Sequence, residues 1–252
     1  MKITVLGSAS GMAVPHRNAS AYLLEVERHL YLIDAGDGVS QQLVRFGVDH
    51  NKIDCVLISH THPDHAAGLF ALLQLMHLTG RRTPLRIYLP QGVLPGFNSI
   101  FPYFHIFREK WPFRFELIPI SKGTLLEEDG LRISAIPNGH LSGGGKIAEK
   151  SGVGSDSYSF RFTQKEDGEV IYTSDVDSLA HLNENTSRVD LLISECYHVS
   201  VEEVRDYARS AGINRVILTH IRPEWEGVTL SAKQQQESPV VEFANDGHVI
   251  EV

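Results

Sequence analysis

The sequence is short of cysteine, of long apolar runs and of basic residues, and each shortage excludes a class of protein. Its two cysteines, Cys55 and Cys196, cannot form a disulfide framework and lie in or beside apolar stretches, which predicts buried free thiols. No run approaches the roughly 18 apolar residues that a membrane span needs. The N-terminus, MKITVLGSAS, has no secretory signal pattern, so we expect a cytoplasmic protein with no membrane partner.

The charge balance argues against extended nucleic-acid binding. Lysine and arginine number 23 against 31 aspartate and glutamate residues, which gives a formal net charge of −8. A chain that coats nucleic acid usually has the opposite balance. A small substrate that carries phosphate stays compatible with this composition, because a bound metal ion reverses the local sign of the charge. Histidine is unusually abundant, with 13 residues.

The patterning predicts one layered domain over residues 1–252. Hydrophobic residues make up 42% of the chain, enough for a sizeable core, and no linker or repeat divides it. Short apolar runs rich in β-branched residues predict strands. These runs are Ile3–Leu6, Ala21–Val26, Leu30–Ile33, Cys55–Ser59, Leu85–Leu89, Phe115–Ile120, Leu131–Ile136, Tyr158–Phe162, Val170–Thr173, Leu191–Ser194, Val216–Thr219, Val240–Phe243 and Val249–Val252. Many strands with few helices indicate an α/β or layered α+β fold.

Local signals predict the helices and turns between these runs. Apolar residues at helical spacing predict a helix over Ala66–Leu78, and Ser200 with Glu203 predicts the capped start of another helix. Asp167-Gly168 and the Asn245-Asp246-Gly247 turn are hairpin signals.

One short segment concentrates metal-binding side chains directly after the run Cys55–Ser59. It reads His60-Thr61-His62-Pro63-Asp64-His65. In extended backbone, residues two apart face the same way, so His60 and His62 can bind one ion. Pro63 turns the chain, which presents the following aspartate and histidine to a neighbouring ion. Imidazole and carboxylate together suit zinc, manganese or iron rather than calcium.

Three further candidates lie at the ends of predicted strands. His140, Asp175 and His220 each follow an apolar run in a way that seven other histidines do not: His16, His29, His50, His77, His105, His181 and His248. Side chains at strand ends are held by a rigid scaffold and stay open to solvent, as a hydrolytic metal site requires. We therefore predict that these three residues complete the metal site.

The central segment resembles the His-x-His-x-Asp-His signature of the metallo-β-lactamase superfamily. Two further stretches are similar to its ribonuclease Z branch: the opening, from Leu6-Gly7-Ser8 through Pro15–Ser20 and Ile33–Gly38, and the segment Ser194–Ser200. The resemblance implies a four-layer αβ/βα sandwich of the metallo-β-lactamase type.

The same resemblance implies two divalent metal ions, with zinc preferred and manganese or iron as alternatives. The implied ligands are His60, His62 and His140 for the first ion, Asp64, His65 and His220 for the second, and Asp175 as a bridge. Asp64 would also orient the attacking water. His198, with Glu195 as its partner, would protonate or stabilise the leaving oxygen.

Two features depart from the ribonuclease Z pattern. That branch carries a long arm that clasps transfer RNA between the positions of His140 and Asp175, where this chain holds Ser142–Lys146 and short predicted strands, with little room for an arm. After His220 the chain continues Ile221-Arg222-Pro223 instead of the branch's usual Ser- and Arg-containing continuation. Both departures favour a substrate smaller than transfer RNA.

The leading hypothesis is therefore a two-metal hydrolase that cleaves a small phosphodiester or a short nucleic-acid end. Ribonuclease Z, which processes transfer-RNA 3′ ends, is the first alternative, and a thioester or lactam hydrolase of the same superfamily is the second. The aromatic and basic segment Phe101–Phe115 admits three interpretations: a substrate mouth, the contact of a homodimer, or core packing, which we favour slightly.

Overall fold

Two β-sheets pack face to face in the computed structural model of the chain, and helices cover both outer faces. The structure describes residues 1–164, 168–185, 189–228 and 238–252. Side chains from the inner faces of both sheets, among them Tyr22, Ile33, Phe160 and Ile193, form one apolar core. This is the predicted four-layer αβ/βα arrangement.

The first sheet has seven strands in the order β14-β1-β2-β3-β4-β5-β6. Its strands are β1 (Lys2–Gly7), β2 (Ala21–Val26), β3 (His29–Ile33), β4 (Ile53–Leu57), β5 (Leu85–Pro90), β6 (Phe115–Ile120) and β14 (Val249–Glu251). The second sheet also has seven strands, in the order β13-β12-β11-β10-β9-β8-β7. Its strands are β7 (Gly123–Glu128), β8 (Leu131–Pro137), β9 (Tyr158–Gln164), β10 (Gly168–Tyr172), β11 (Leu191–Glu195), β12 (Arg215–Thr219) and β13 (Val240–Phe243).

Six α-helices lie within the described residues, together with several short 3₁₀ helices. The α-helices are α1 (Val39–Arg45), α2 (Pro63–Ala66), α3 (Gly68–Leu78), α4 (Leu94–Ile100), α5 (Gly145–Lys150) and α6 (Val201–Ser210). Residues of α1 and α3 pack on the outer face of the first sheet, and residues of α6 pack on that of the second. No helix among the described residues is long and apolar enough to cross a membrane.

The direction of the strands determines where functional side chains gather. In the first sheet β3, β4, β5 and β6 run parallel, and in the second β10, β11, β12 and β13 run parallel. Parallel strands end at the same edge of a sheet, and ligands bind in the crevice outside those carboxyl ends in open α/β sheets. The loops that follow β4, β8, β10 and β12 carry the candidate ligands and meet at this edge.

Each predicted apolar run forms a strand, with ends shifted by no more than two residues, but the strand β7 was missed. Its sequence, Gly123–Glu128, has a single buried side chain, Leu126, and lies at the edge of the second sheet. An edge strand that buries so little lacks the alternation of apolar and polar residues by which strands are detected.

Two local predictions need correction. The turn Asn245-Asp246-Gly247 does not close a hairpin, because β13 and β14 belong to different sheets and the turn carries the chain from one to the other. The helix predicted over Ala66–Leu78 begins at Gly68, after the separate short helix α2. The capping box at Ser200 and Glu203 is confirmed. β9 and β10 pair antiparallel as a hairpin requires, although Asp167 itself lies outside the described residues.

The segment Phe101–Phe115 divides into a buried half and an exposed half. Phe101, Phe113 and Phe115 are buried in the core between the first sheet and its helices, as the core-packing interpretation predicts. Tyr103 and Phe104 are 85% and 54% exposed, so that interpretation does not extend to them. The two cysteines are free and buried, as predicted.

Candidate metal centre

The loop after β4 brings two histidines together with a third that follows β8 in the second sheet. His60 is buried and His62 is exposed, and their Nε2 and Nδ1 atoms lie 3.1 Å apart. His140, which follows β8, places its Nε2 3.3 Å from the same Nδ1 of His62. We call His60, His62 and His140 the first cluster.

A second cluster forms one turn further along the chain. Pro63 occupies the first turn of α2, and this helix turns Asp64 and His65 away from the direction of the preceding histidines. His220, directly after β12, places its Nε2 3.2 Å from Asp64 Oδ2, and His65 Nε2 lies 3.6 Å from that same oxygen. We call Asp64, His65 and His220 the second cluster.

Asp175 lies between the two clusters and faces each with a different oxygen. Its Oδ2 is 3.9 Å from His60 Nε2 and 3.7 Å from His140 Nε2. Its Oδ1 is 3.2 Å from His65 Nε2 and 3.4 Å from His220 Nε2. Taken with Asp175, the ligand atoms of each cluster lie within 4.8 Å of one another, so each set can hold a metal ion.

Strand ends in an unusual backbone conformation help to aim these side chains. Asp34, Ser174 and His220 follow β3, β10 and β12, and their φ angles are 56°, 54° and 54°. Such left-handed conformations are uncommon for residues other than glycine and concentrate at functional sites. Asn138 adds a fixed link between two strand ends, because its Nδ2 donates to the Asp175 carbonyl at 2.9 Å and its Oδ1 accepts from the His140 amide at 3.3 Å.

Asp34 orients the candidate ligand His65 from the side of its ring that faces away from Asp175, a role that was not predicted from the sequence. Its carboxylate is fully buried and accepts hydrogen bonds from the Ser59 amide at 2.8 Å and from Tyr172 Oη at 2.9 Å. His65 Nδ1 lies 2.8 Å from Asp34 Oδ2, which leaves Nε2 to face Asp175. A carboxylate that holds a histidine ring in this way fixes its tautomer and orientation. The sequence does contain a signal for this role, because Asp34, like His220, lies directly after an apolar run.

The chemistry of the donor set fits metal ions. His65 Nε2 and Asp175 Oδ1 are buried and make no hydrogen bond to any of the described residues. Burial lowers the pKa of His60 well below its ordinary value and also lowers the pKa of His62 and of His140, so the first cluster presents neutral imidazoles. Neutral imidazole is the form that binds a metal ion.

The second cluster favours positive charge beside Asp175. Burial would lower the pKa of His65, but the carboxylates of Asp175 and Asp34 outweigh burial and raise that pKa well above its ordinary value. Burial would raise the pKa of Asp175, but His65 and His220 outweigh it and hold that pKa well below the ordinary range. These shifts show that the surroundings of His65 favour a positive charge beside the Asp175 carboxylate.

His198 lies beside the clusters but is held by a different residue. Its Nδ1 is 3.0 Å from Glu195 Oε1, and the hydrogen bond to Glu195 raises the pKa of His198. Glu195 is itself buried and accepts from the amides of Val176, Tyr197 and His198, so its carboxylate cannot turn away. The His198 ring stacks 5.7 Å from that of His220 and is about one-third exposed, with 33% of its side chain accessible.

Comparison with known proteins places this geometry in a family. A family model described as "Beta-lactamase superfamily domain" matches residues 29–221. Ribonuclease Z of Methanothermobacter thermautotrophicus is 25% identical over 303 aligned positions, which cover 100% of this chain and 97% of the relative. Because those positions outnumber the 252 residues of this chain, dozens of residues of the relative have no counterpart here.

Solved structures share the whole fold. Human tRNase Z, short form, matches with a TM-score of 0.77 at 21% identity, over 100% of this chain and 99% of that one. The metallo-β-lactamase fold protein YhfI from Bacillus subtilis matches with a TM-score of 0.75 at 24% identity, over 100% and 99% of the two chains. The chain therefore belongs to the metallo-β-lactamase superfamily and lies in its ribonuclease Z-like branch.

Proposed function

We propose that this protein hydrolyses a phosphodiester bond with two divalent metal ions, one in each cluster. The observation that carries the proposal is the placement of Asp175, whose two oxygens face the two clusters separately. A carboxylate shared in this way offsets the repulsion between neighbouring cations, and a pair of ions is the arrangement that phosphatases and nucleases use. The family model and the relatives named ribonuclease Z support a metal-dependent hydrolase, and the bond cleaved is the finer part of the proposal.

The side chains of the site supply the remaining chemistry. Two bound ions would supply positive charge at the phosphate oxygens and lower the pKa of a water molecule. Asp64 keeps 16% of its side chain exposed, so its carboxylate can orient the attacking water and accept its proton. His198 uses Nδ1 for Glu195, and no hydrogen bond to the described residues uses its Nε2. That nitrogen is free to donate a proton to the leaving oxygen.

We propose zinc as the metal, with manganese and iron as the alternatives. Five histidines and two aspartates make up the ligand set, and nitrogen with carboxylate oxygen is the donor combination typical of catalytic zinc. Calcium and magnesium prefer sites of oxygen alone, which this set does not offer.

Protein purified without chelator should contain close to two transition-metal ions per chain. The physical reason is that Asp175 makes each cluster a set of four ligands, enough for the tetrahedral coordination that zinc prefers. Elemental analysis measures the content, and chelator-treated protein reloaded with zinc should return to the same value. A His29→Ala variant, changed at the opposite end of β3, should bind the same amount. A content that stays at one ion after reloading would contradict the two-ion site.

For the substrate, the relatives favour RNA over the small phosphodiester predicted from the sequence. Relatives named ribonuclease Z match along nearly their whole length, which supports the alternative more than the leading hypothesis. We therefore propose RNA as the substrate class and precursor transfer RNA as the first molecule to test. A small phosphodiester stays the second candidate, because only the short helix α5 and its flanking turns separate β8 from β9, with no extended arm between them.

Salt dependence separates these two substrates. Each phosphate that a protein neutralises releases counterions, so the affinity for RNA should fall as the salt concentration rises. The logarithm of the binding constant falls with the logarithm of the salt concentration, with a slope of about −0.7 per phosphate contact for a single strand. We expect kcat/KM for precursor transfer RNA to exceed that for thymidine 5′-nitrophenyl phosphate and to fall steeply as potassium chloride rises. The small ester should respond weakly. Rapid, salt-insensitive cleavage of the small ester with slow cleavage of RNA would instead establish the second candidate.

A further inference from the structure

The turn near the C-terminus closes over the loop that follows β1. Asp246 Oδ1 accepts from the amide and the hydroxyl of Ser8, at 3.0 and 2.8 Å, although the two residues are 238 positions apart in the chain. Asp246 Oδ2 accepts from the Asn18 amide at 2.7 Å, from Asn18 Nδ2 at 3.1 Å and from Gln42 Nε2 at 2.8 Å. One carboxylate therefore ties both ends of the loop Ser8–Asn18 to the C-terminal turn.

Arg17 reinforces the same junction. Its side chain is only 6% exposed and donates to Ser8 Oγ at 2.7 Å, to Asn245 Oδ1 at 2.9 Å and to Glu226 Oε2 at 2.8 Å. It also donates to the carbonyl of Ala244. We call Arg17 and Asp246, with the groups that they bind, the terminal clasp.

The loop held by the terminal clasp contacts Asp64 and the residue that follows His220. The Ile221 amide donates to the Ser8 carbonyl at 2.9 Å, and the Ser10 amide donates to the Ile221 carbonyl at 3.1 Å. Ile221 directly follows His220, so these bonds hold the backbone that aims that ligand. On the other side, a Cβ at Gly11 would lie 3.1 Å from Asp64 Oδ2, which shows that the loop backbone abuts this carboxylate.

We infer that Asp246 and Arg17 are positioning residues for the second cluster, acting through the loop Ser8–Asn18 on Asp64 and His220. The inference rests on the proposed two-ion site. The first cluster is held by other means: Ser59 Oγ lies 3.1 Å from His60 Nδ1, and Asn138 binds the His140 amide. Loss of the terminal clasp should therefore lower the affinity of the second cluster for its ion and leave the affinity of the first cluster unchanged.

Zinc titration of the metal-free protein against a chromophoric chelator tests this selectivity. Asp246→Ala should bind one ion with unchanged affinity and the other roughly 10–100-fold more weakly, the usual cost of losing a residue that orients ligands. Glu128→Gln is the matched control. Glu128 also links the two sheets, because its carboxylate accepts hydrogen bonds from Tyr31 and Arg86, but it lies at the opposite end of β8 from His140. It should bind both ions as the unaltered protein does.

A second variant avoids the risk that loss of the clasp prevents folding. Gly11→Ala leaves Arg17 and Asp246 intact but places a methyl group against Asp64. It should therefore lower the affinity for the same ion. Combining Asp246→Ala with His140→Ala identifies that ion: the double variant should bind both ions more weakly, whereas it would bind one ion with unchanged affinity if the clasp served the first cluster.

The outcomes separate this inference from the proposed function. Unaltered protein that binds fewer than two ions would overturn the two-ion site itself. Unaltered protein that binds two ions, with Asp246→Ala and Gly11→Ala binding both as tightly, would overturn only the role of the clasp. If Asp246→Ala lowered the affinity for both ions equally, the selectivity that the geometry implies would be overturned.

Discussion

Replacement of Asp175 by alanine should abolish binding of both metal ions and lower kcat/KM by at least about 10³-fold. Each ion is worth several kcal/mol of transition-state stabilisation, and about 1.4 kcal/mol corresponds to a factor of ten. The reason for the double loss is geometric, since one oxygen of Asp175 faces His60 and the other faces His65. Elemental analysis and steady-state kinetics on the same preparation measure the two effects.

The matched comparison for Asp175 is His140→Ala. Among the candidate ligands, His140 lies beside His60, His62 and Asp175, so its loss should remove one ion and leave the second cluster loaded. Asp175→Asn keeps the shape of the side chain and shows whether the negative charge or the packing is responsible. If Asp175→Ala and His140→Ala both retained one ion, the bridging role of Asp175 would be wrong.

Replacement of His198 by alanine should keep both ions and lower kcat by roughly 10²–10⁴-fold, which is the usual contribution of a positioned general acid. His198 lies outside both clusters, and its partner Glu195 stays anchored by the amides of Val176 and Tyr197 when the ring is removed. The fold and the metal content should therefore be unchanged. Kinetics on precursor transfer RNA, or on an alkyl ester if the small substrate prevails, measure the loss.

The leaving group provides the control for His198. Nitrophenolate needs little protonation, so the loss should shrink strongly on a nitrophenyl ester. Glu195→Gln keeps the hydrogen-bonding shape of the side chain but removes the charge that orients the His198 ring, and it should lower turnover in the same direction by a smaller factor. An unchanged rate for His198→Ala on a poor leaving group would assign this histidine to the surface.

The strands could be predicted because most of them are buried on both faces of a layered fold. Runs such as Cys55–Ser59 and Leu191–Ser194 read as continuous apolar segments, since one face meets the other sheet and the opposite face meets helices. The strand β7 was missed for the opposite reason, because Leu126 is the one buried residue of that strand. The turn at Asn245–Gly247 was misinterpreted because a turn signal states that the chain reverses, not which sheet it reaches.

The ligand candidates could also be found in the sequence, because metal binding needs particular side chains at short spacing in one segment and at strand ends elsewhere. The sequence by itself determined the residue types, the layered fold class and the pairing of His60 with His62, all of which depend on local periodicity. Only the tertiary structure decided that Asp175 faces two clusters, that Asp34 holds His65 from behind, and that Asp246 reaches the loop beside Asp64. These contacts join residues 31 to 238 positions apart, and such pairings follow from how the two sheets pack.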